Sequence, residues 1–187
     1  MQEKIWGEVV KIKNSLSKPR KLALCGFMGA GKTSVFNRLR HEKYDHNYFF
    51  ADSDALILKS MGYPSIKEIV GKLGWSKFRE LEQQIISDLV RGESSLVLSL
   101  GGGSLNNSIM RMFSEEGVVL VWLKAGFEDL LLRASLNQGG RPLLKEKTRG
   151  ELLELYQERR KYYSEADIII DNKSLEEAVD IIKGYLE

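Results

Sequence analysis

The sequence is poor in the residues that build disulfides and metal sites. Cys25 is the sole cysteine among 187 residues, which excludes an internal disulfide. It stands in an apolar stretch, so we expect a packed core thiol. The two histidines, His41 and His46, have no cysteine or histidine partner at metal-ligand spacing, and we interpret them as loop residues. The net charge is also small. A value of +2 gives no reason to expect a nucleic-acid partner.

Long hydrophobic runs are absent as well. None approaches the roughly 18 residues of a membrane-spanning helix, and the N-terminus lacks the apolar region of a signal peptide. We therefore expect a cytoplasmic protein with no membrane partner. The length predicts one domain, residues 21–187, after an N-terminal extension, residues 1–20. Four apolar residues between Ile5 and Ile12 favour a short helix in that extension, packed on a sheet edge.

One glycine-rich stretch matches a phosphate-binding loop. Gly26–Thr33 has two glycines separated by four residues and ends in Lys32 and Thr33, between a short apolar stretch and a helical one. Glycines let the backbone turn its N–H groups inward, and the helix N-terminus adds unpaired N–H groups. We expect Lys32 to neutralise phosphate oxygens of ATP and the Thr33 hydroxyl to bind Mg²⁺. The predicted ATP-binding residues of this stretch are Gly29, Ala30, Gly31, Lys32, Thr33 and Ser34.

Apolar, strand-like stretches alternate with helical ones along the chain. The five predicted strands are residues 22–25, 48–51, 95–100, 118–123 and 167–171. This alternation is typical of an α/β protein whose parallel sheet is covered by helices on both faces.

Two segments directly follow predicted strands. Asp52 and Asp54 follow the second strand, and Gly101–Gly103 follows the third. Ligands collect at the carboxyl ends of parallel strands, so we expect one aspartate near a metal and the other facing a hydroxyl-bearing substrate. Capping of the next helix is the alternative for either aspartate. Consecutive glycines favour close approach of a ligand to bare backbone, with a flexible turn as the alternative.

Two further segments bring basic side chains to the predicted site. The insertion at about 55–92 is long enough for a small substrate-binding subdomain, and we expect a break at residues 71–74 between two of its helices. On the second of these helices, Arg79 and Glu82 are neighbours. A surface salt bridge is the alternative interpretation of that pair. Turn residues surround Arg141 in a segment at about 135–150, which we interpret as a lid that brings an arginine over the phosphates. An exposed loop arginine is the alternative there.

Together these motifs resemble those of shikimate kinases over residues 21–185. The resemblance rests on six motifs in the right order: Gly26–Thr33, Asp52–Asp54, Phe78-Arg79 with Glu82, Gly101–Gly103, Arg141–Leu144, and Glu158-Arg159 followed by Tyr163. It implies a P-loop NTPase fold related to nucleoside monophosphate kinases, with five parallel strands in the order 2-3-1-4-5. It also implies Mg²⁺-dependent transfer from ATP to the 3-hydroxyl of shikimate, giving shikimate 3-phosphate on the route to chorismate and the aromatic amino acids. We expect a monomer.

The resemblance also implies roles for individual residues. The implied catalytic residues are Lys32, Asp54 and Arg141. The implied shikimate-binding residues are Asp54, Arg79, Gly101, Gly102, Gly103 and Arg159. The implied metal-binding residues are Thr33 and Asp52. Arg133 and Arg141 join the ATP-binding residues. Arg133 matches the family's arginine beside the adenine, and Lys173 is a looser match to a similar role. Two arginines on separate helices suit the shikimate carboxylate, because a guanidinium donates paired hydrogen bonds to a carboxylate.

The chain departs from the family pattern at three places. Trp75 follows Gly74 where the family often has glutamate, and Lys161 and Tyr162 stand where it often has proline and leucine. The loop before Arg141 is one residue longer than in some members. These changes lie beside the charged residues, so they bear on affinity and lid behaviour more than on reaction type.

Three alternatives remain. The first is a kinase of another small hydroxylated acceptor, such as gluconate or a nucleotide. The second is a guanine-nucleotide switch, but residues 172–175 lack the closing aspartate of an Asn-Lys-x-Asp run. The third is a family member that binds without turnover, against which Lys32, Asp54 and Arg141 argue.

Overall fold

The protein is built on one six-stranded sheet. The computed structural model describes residues 10–12, 19–44, 47–136, 144 and 146–187. The strands are β1 (Val10–Ile12), β2 (Lys21–Cys25), β3 (Phe49–Asp52), β4 (Leu96–Ser99), β5 (Val118–Lys124) and β6 (Ile168–Asp171), in the spatial order β1-β6-β5-β2-β4-β3. The strands β2 to β6 pair in parallel. Counted from β2 as the first, their order is 2-3-1-4-5, which confirms the prediction.

Helices connect the parallel strands. They are α1 (Lys32–Leu39), α2 (Ser53–Met61), α3 (Ile66–Gly92), α4 (Asn107–Glu115), α5 (Phe127–Leu136), α6 (Arg149–Tyr163) and α7 (Leu175–Leu186). Each predicted helix of the domain is present, with ends displaced by a few residues. His41 is exposed in the loop after α1, as predicted, and His46 lies outside the described residues. Within the described part of the chain, no helix is both long and apolar enough to cross a bilayer.

The N-terminal extension contributes a strand where the sequence predicted a helix. Residues Val10–Ile12 form β1, which pairs antiparallel with β6 through Val10 opposite Ile170 and Ile12 opposite Ile168. The predicted position at a sheet edge is confirmed, but the predicted helix is wrong for these three residues. The reason is tertiary, because the open edge of β6 offers backbone hydrogen bonds that an extended segment can take up. The rest of residues 1–18 lies outside the described residues.

A kink at Gly74 divides α3. The sequence predicted two helices separated by residues 71–74, whereas the helix continues through Gly71 and departs from helical geometry at Gly74, with φ 79° and ψ 163°. That backbone conformation is accessible essentially to glycine alone. α3 packs on α2 through a small cluster formed by Ile57 of α2, Ile69 before the kink and Phe78 one turn after it. The second half runs back along the sheet and carries Arg79 and Glu82 to its carboxyl edge.

The main core lies on both faces of the central strands. Leu22 and Leu24 of β2 and Leu96 and Leu98 of β4 are fully buried. Burying each such side chain contributes about 2 kcal/mol to stability. Cys25, at the end of β2, is 1% exposed, which confirms the predicted core thiol. A rigid centre of this kind holds the loops at the carboxyl ends of β2, β3 and β4 in fixed positions.

Candidate active site

A cleft of about 990 Å³ opens at the carboxyl edge of the sheet. Its walls come from the loops after β2, β3 and β4 and from α3, α5 and α6. It gathers most residues of the predicted site: Gly29, Ala30, Gly31, Lys32, Thr33, Ser34, Asp52, Asp54, Arg79, Gly101, Gly102, Gly103, Arg133, Arg159 and Lys173. Arg141 lies outside the described residues, as do the rest of residues 137–143 and residue 145 of the predicted lid. Parallel strands end at a common edge, and this is why motifs far apart in sequence meet here.

The P-loop leads directly into the first turn of α1. Gly31 precedes the helix with a positive φ of 84°, and no described side chain caps the helix N-terminus. The N–H groups of the first turn therefore face the cleft as an anion site. Lys32 folds back on its own loop, and its Nζ donates to the carbonyl oxygens of Gly26 at 2.6 Å and Phe27 at 3.3 Å.

Asn172, directly after β6, hydrogen-bonds to the backbone of the P-loop. Its Nδ2 donates to the carbonyl oxygen of Ala30 at 2.6 Å, and it is almost fully buried. Arg133 of α5 in turn donates to the Asn172 carbonyl at 2.9 Å. The sequence analysis missed Asn172, although its place directly after a strand was a signal. Lys173 is exposed and pairs with Asp171 at 3.8 Å.

The two aspartates after β3 differ in surroundings. Asp52 caps α2, with its Oδ1 accepting from the N–H of Ala55 at 3.0 Å. Helix capping was the alternative considered for either aspartate, and it holds for one carboxylate oxygen of Asp52. Asp54 lies deeper, one residue into the helix. Burial raises the pKa of Asp54 to about 6, and the carboxylates of Glu82 and Asp52 add to the shift.

Glu82 is a buried carboxylate, only 2% exposed. It accepts from the guanidinium of Arg79, one turn earlier on α3, and from the Ser104 hydroxyl at 2.6 Å. The surface salt bridge considered for this pair is therefore wrong, because one partner is enclosed. Breaking a pair of this kind leaves a buried charge without its partner, which is strongly destabilising. Glu82 consequently holds the Arg79 guanidinium in one place.

Aromatic rings cover the Arg79 guanidinium. Its Cζ lies 5.3 Å from the ring centre of Trp75 and 5.2 Å from that of Phe78. Trp75, which departs from the family pattern, lines the cleft and is 51% exposed. A cation over an aromatic face gains about 0.5–1 kcal/mol at such partly exposed sites.

The glycines after β4 are needed because charged groups crowd their α-carbons. A Cβ on Gly101 would lie 2.6 Å from Asp54 Oδ1 and 2.8 Å from Glu82 Oε1. A Cβ on Gly103 would lie 2.5 Å from Arg79 Nη2 and 2.9 Å from Arg159 Nη2. The loop thus has two carboxylates at its first residue and two guanidinium groups at its third.

Hydroxyl groups fix this glycine loop from three sides. Ser53 accepts from the N–H of Gly101 at 3.0 Å, and the single O–H of Ser104 is shared between Glu82, at 2.6 Å, and the Gly101 carbonyl, at 2.9 Å. The Tyr163 hydroxyl donates to the carbonyl of Gly102. Ser53, Ser104 and Tyr163 are all buried. The sequence analysis did not identify any of the three as a site residue. A buried serine has no signature before its partner is known, and Tyr163 was named only as part of a motif.

Arg159 reaches the loop from α6. It is half-buried, and its Cζ lies 5.5 Å from the ring centre of Phe27, within the P-loop. Burial lowers the pKa of Arg159, while nearby Tyr163 and Glu158 act in the opposite direction. The group stays charged at neutral pH. Arg79 and Arg159 therefore present two cations to the same end of the cleft.

Comparison with known proteins decides the family. The model of the shikimate kinase family matches residues 28–187, and the shikimate kinase of Geobacter metallireducens is 37% identical over 174 residues, which cover 91% of this chain and 94% of that protein. The chain belongs to the shikimate kinase family. The crystal structure of the shikimate kinase of Aquifex aeolicus is similar at a TM-score of 0.72 and 32% identity, covering 89% of this chain and 95% of that one. The shikimate kinase of Acinetobacter baumannii in complex with shikimate gives a TM-score of 0.74 at 28% identity, covering 90% and 95%.

One contact of this shikimate kinase-family chain crosses the mouth of the cleft. Lys67 of α3 pairs with Glu146, which precedes α6, at 2.9 Å. The sequence analysis had no reason to associate these residues, which are 79 positions apart. Both side chains are well exposed, so the pair contributes little to stability.

Proposed function

We propose that the protein transfers the γ-phosphoryl group of ATP to the 3-hydroxyl of shikimate. One observation carries the proposal: the loop Gly101–Gly103 has the Asp54 carboxylate at one end and two guanidinium groups at the other. An acceptor that fits this arrangement carries a carboxylate at one side and hydroxyl groups at the other. Shikimate has this chemistry, and family membership points to the same acceptor.

The two arginines hold the acceptor's carboxylate in this proposal. Hydrogen bonds between charged partners are about twice as strong as neutral ones, and guanidinium donors add geometric specificity. Glu82 and the ring of Trp75 fix Arg79, while Phe27 and Tyr163 lie against Arg159. Because both cations are held before the acceptor arrives, less ordering entropy is lost on binding.

The P-loop holds the phosphates of ATP. The uncapped N-terminus of α1 offers N–H groups, and Lys32 exchanges its contacts with the Gly26 and Phe27 carbonyls for phosphate oxygens. Arg133 and Lys173 line the cleft, and Arg133 contacts Asn172 behind the P-loop, so the nucleoside would extend past them. Arg141 remains a sequence-based prediction of a second cation on the transferring phosphate.

The residues beside the P-loop fit Mg²⁺. This ion takes oxygen ligands, keeps several waters and binds substrate phosphates, so it needs few ligands from the protein. The Thr33 hydroxyl lies in the first turn of α1 and would bind the ion directly. Asp52 uses Oδ1 as a helix cap, and its Oδ2 would bind a water of the ion. When bound, Mg²⁺ would neutralise charge on the β- and γ-phosphates.

Asp54 receives the proton in this mechanism. The 3-hydroxyl oxygen forms a bond to the γ-phosphorus as the bond from that phosphorus to the bridging oxygen breaks, and ADP leaves with the electron pair. The hydroxyl proton passes to Asp54, whose pKa of about 6 keeps it largely ionised at neutral pH yet basic enough to accept. Phosphoryl transfer depends mainly on position and charge, so this proton transfer is a secondary contribution.

A panel of acceptors tests the proposal. ADP release is measured with Mg²⁺-ATP and shikimate, quinate, gluconate, AMP or no acceptor, and the product is identified by its phosphorus NMR signal. We expect release that depends on shikimate and a phosphate on its 3-oxygen. Release with another acceptor alone would assign the cleft to that compound, and ATP binding without turnover on any acceptor would indicate a binding protein.

Variants of the two arginines localise the acceptor. Arg79→Ala and Arg159→Ala should each raise the KM for shikimate by about 10- to 100-fold, the loss expected for charge-assisted hydrogen bonds. Arg111→Ala is the matched control, because Arg111 is exposed on α4 and pairs with Glu115. A change in the KM for ATP alone would show that the acceptor pocket lies elsewhere.

A further inference from the structure

We propose that Tyr163 is a positioning residue for the acceptor, whose hydroxyl holds Arg159 in register with the loop Gly101–Gly103. The inference rests on the proposed function, because it concerns the carboxylate end of the same cleft. Tyr163 touches neither substrate in this scheme and acts through Arg159 and the loop.

The first argument is the bridge that the hydroxyl makes. Tyr163 ends α6 and is 2% exposed, and its O–H donates to the carbonyl of Gly102. Arg159 precedes it by four residues, so both side chains project from one face of the helix. The Arg159 guanidinium is near enough for its charge to act on the pKa of the Tyr163 hydroxyl. The phenol thus joins α6, the helix that carries Arg159, to the middle of the loop.

The second argument is how closely Arg159 lies on that loop. Its Nη1 lies 3.3 Å from the position of a Cβ on Gly102, and its Nη2 lies 2.9 Å from that of a Cβ on Gly103. Arg79 Nη2 lies 2.5 Å from the latter position. A small movement of α6 against the loop would therefore alter the distance between the two guanidinium groups, and with it their fit to a carboxylate.

The third argument is that the hydroxyl is itself fixed and remains a donor. The Tyr163 ring packs in the core against Trp122, with 5.9 Å between ring centres. Burial raises the pKa of Tyr163 above its ordinary value, while the nearby charge of Arg159 acts in the opposite direction. The net direction is upward, so the phenol keeps its proton throughout the pH range of an assay.

Two serines also hydrogen-bond to the loop, but at a different residue from Tyr163. Ser53 and Ser104 both bond to the backbone of Gly101, at the end near Asp54. Tyr163 bonds to Gly102, next to the residue where the guanidinium groups converge. Loss of its hydroxyl should therefore affect the carboxylate of the acceptor more than its reacting hydroxyl.

Replacement of Tyr163 by phenylalanine tests the inference. We expect Tyr163→Phe to raise the KM for shikimate about five- to tenfold, the usual effect of one lost buried hydrogen bond, with the KM for ATP unchanged. The matched control is Tyr162→Phe, since Tyr162 is half-buried outside the cleft, beside Lys161 and Glu165. An unchanged KM for shikimate, or equal changes for both substrates, would overturn the inference.

A double-mutant cycle separates positioning from a general structural effect. If Tyr163 acts through Arg159, Tyr163→Phe should have no further effect on the shikimate KM in an Arg159→Ala background. If the two substitutions instead multiply their effects on the shikimate KM, Tyr163 does not act through Arg159 and the inference is overturned. If Tyr163→Phe does not fold, 3-fluorotyrosine at position 163 keeps the ring and hydroxyl but changes donor strength. A changed shikimate KM then supports the inference, and an unchanged one overturns it.

The wild-type protein separates this inference from the proposed function. An inactive wild type overturns the proposed function, whatever the variants do. If an active wild type uses shikimate and Tyr163→Phe matches it in both KM values, the inference about Tyr163 alone is overturned. Activity with a different carboxylate-bearing acceptor leaves the same KM comparison valid on that compound.

Discussion

The two halves of the cleft are built in different ways. The nucleotide half binds phosphate through one continuous stretch, Gly26–Ser34, and works there mainly through backbone N–H groups with Lys32 as a cation. The acceptor half comes from four segments that meet in space, after β3, on α3, after β4 and on α6. Its work is done by charged side chains. Local sequence therefore specifies the first half, whereas the second depends on how the helices pack.

The halves also differ in how their charges are held. In the nucleotide half, Lys32 contacts carbonyl oxygens of its own loop, which phosphate oxygens can replace. In the acceptor half, Arg79 is fixed by a buried carboxylate and two rings before any ligand binds. Loss of Lys32 in the first half should thus lower the rate of transfer, whereas substitutions around Arg79 in the second half should weaken acceptor binding by steps.

Loss of Lys32 should have the largest effect. Lys32→Ala should lower kcat by about 10³-fold, at the upper end for removal of one electrostatic contact to a transition state. The fold should survive, because Lys32 lines the cleft and is not part of the hydrophobic core. Steady-state kinetics and a thermal melt measure both effects, with Lys43→Ala in the exposed loop after α1 as the control. An unchanged kcat would remove Lys32 from the mechanism.

Gly103→Ala should come next. The new Cβ would displace both Arg79 and Arg159, and the loss of two charge-assisted hydrogen bonds predicts a shikimate KM raised by about 10²-fold. The displaced atoms are ends of flexible side chains, so the protein should fold. Gly92→Ala is the control, because nothing lies within 4 Å of its would-be Cβ. Normal shikimate binding in Gly103→Ala would disprove the convergence of the arginines.

Glu82→Gln should have a smaller effect and one that depends on pH. The wild-type kcat/KM should decline to a lower plateau as the pH falls through about 6, because protonated Asp54 cannot accept the hydroxyl proton and its secondary contribution to the rate is lost. Glu82→Gln removes a carboxylate that raises the pKa of Asp54, so this acid limb should move to lower pH. The shikimate KM should rise about tenfold as Arg79 loses its partner. A pH profile of kcat/KM measures both, and an unmoved limb would contradict the coupling.

The pH dependence of the protein's stability is a control for assigning the acid limb to Asp54. Asp54 has an ordinary pKa of 3.8 in an unfolded chain and about 6 in the folded protein, so folding tightens its hold on the proton. Its favourable contribution to stability is complete below pH 3.8 and is lost as the pH rises through 6. Asp54→Asn should therefore raise the melting temperature at pH 8 more than at pH 4, and it should abolish the acid limb.

Asn172→Ala should have the smallest effect, confined to the nucleotide half. It removes the donor to the Ala30 carbonyl and should raise the KM for ATP about fivefold, as one lost hydrogen bond predicts, with the shikimate KM unchanged. Asn37→Ala on the exposed face of α1 is the control. An equal rise in both KM values would show that the two halves are not separate.

Much of the fold was predictable because its signals are local. The apolar stretches at β2, β4 and β5 alternate with helical ones, and glycine spacing identified the loop at Gly26–Thr33. The strand β1 was mispredicted because its partner, the edge of β6, lies about 160 positions later in the chain. The kink at Gly74 falls at the last residue of the predicted break, residues 71–74, because glycine tolerates a conformation that other residues do not.

The sequence by itself determined the phosphate-binding loop, the α/β alternation and the types of charged residue available to the site. These depend on periodicity and on glycine's backbone freedom, which act over a few residues. Only the tertiary structure decided that Glu82 is buried, that Arg79 and Arg159 converge on Gly103, and that Ser53, Ser104, Tyr163 and Asn172 support the loops. Burial and hydrogen bonding between distant segments arise when the sheet and helices pack, and no local pattern records them.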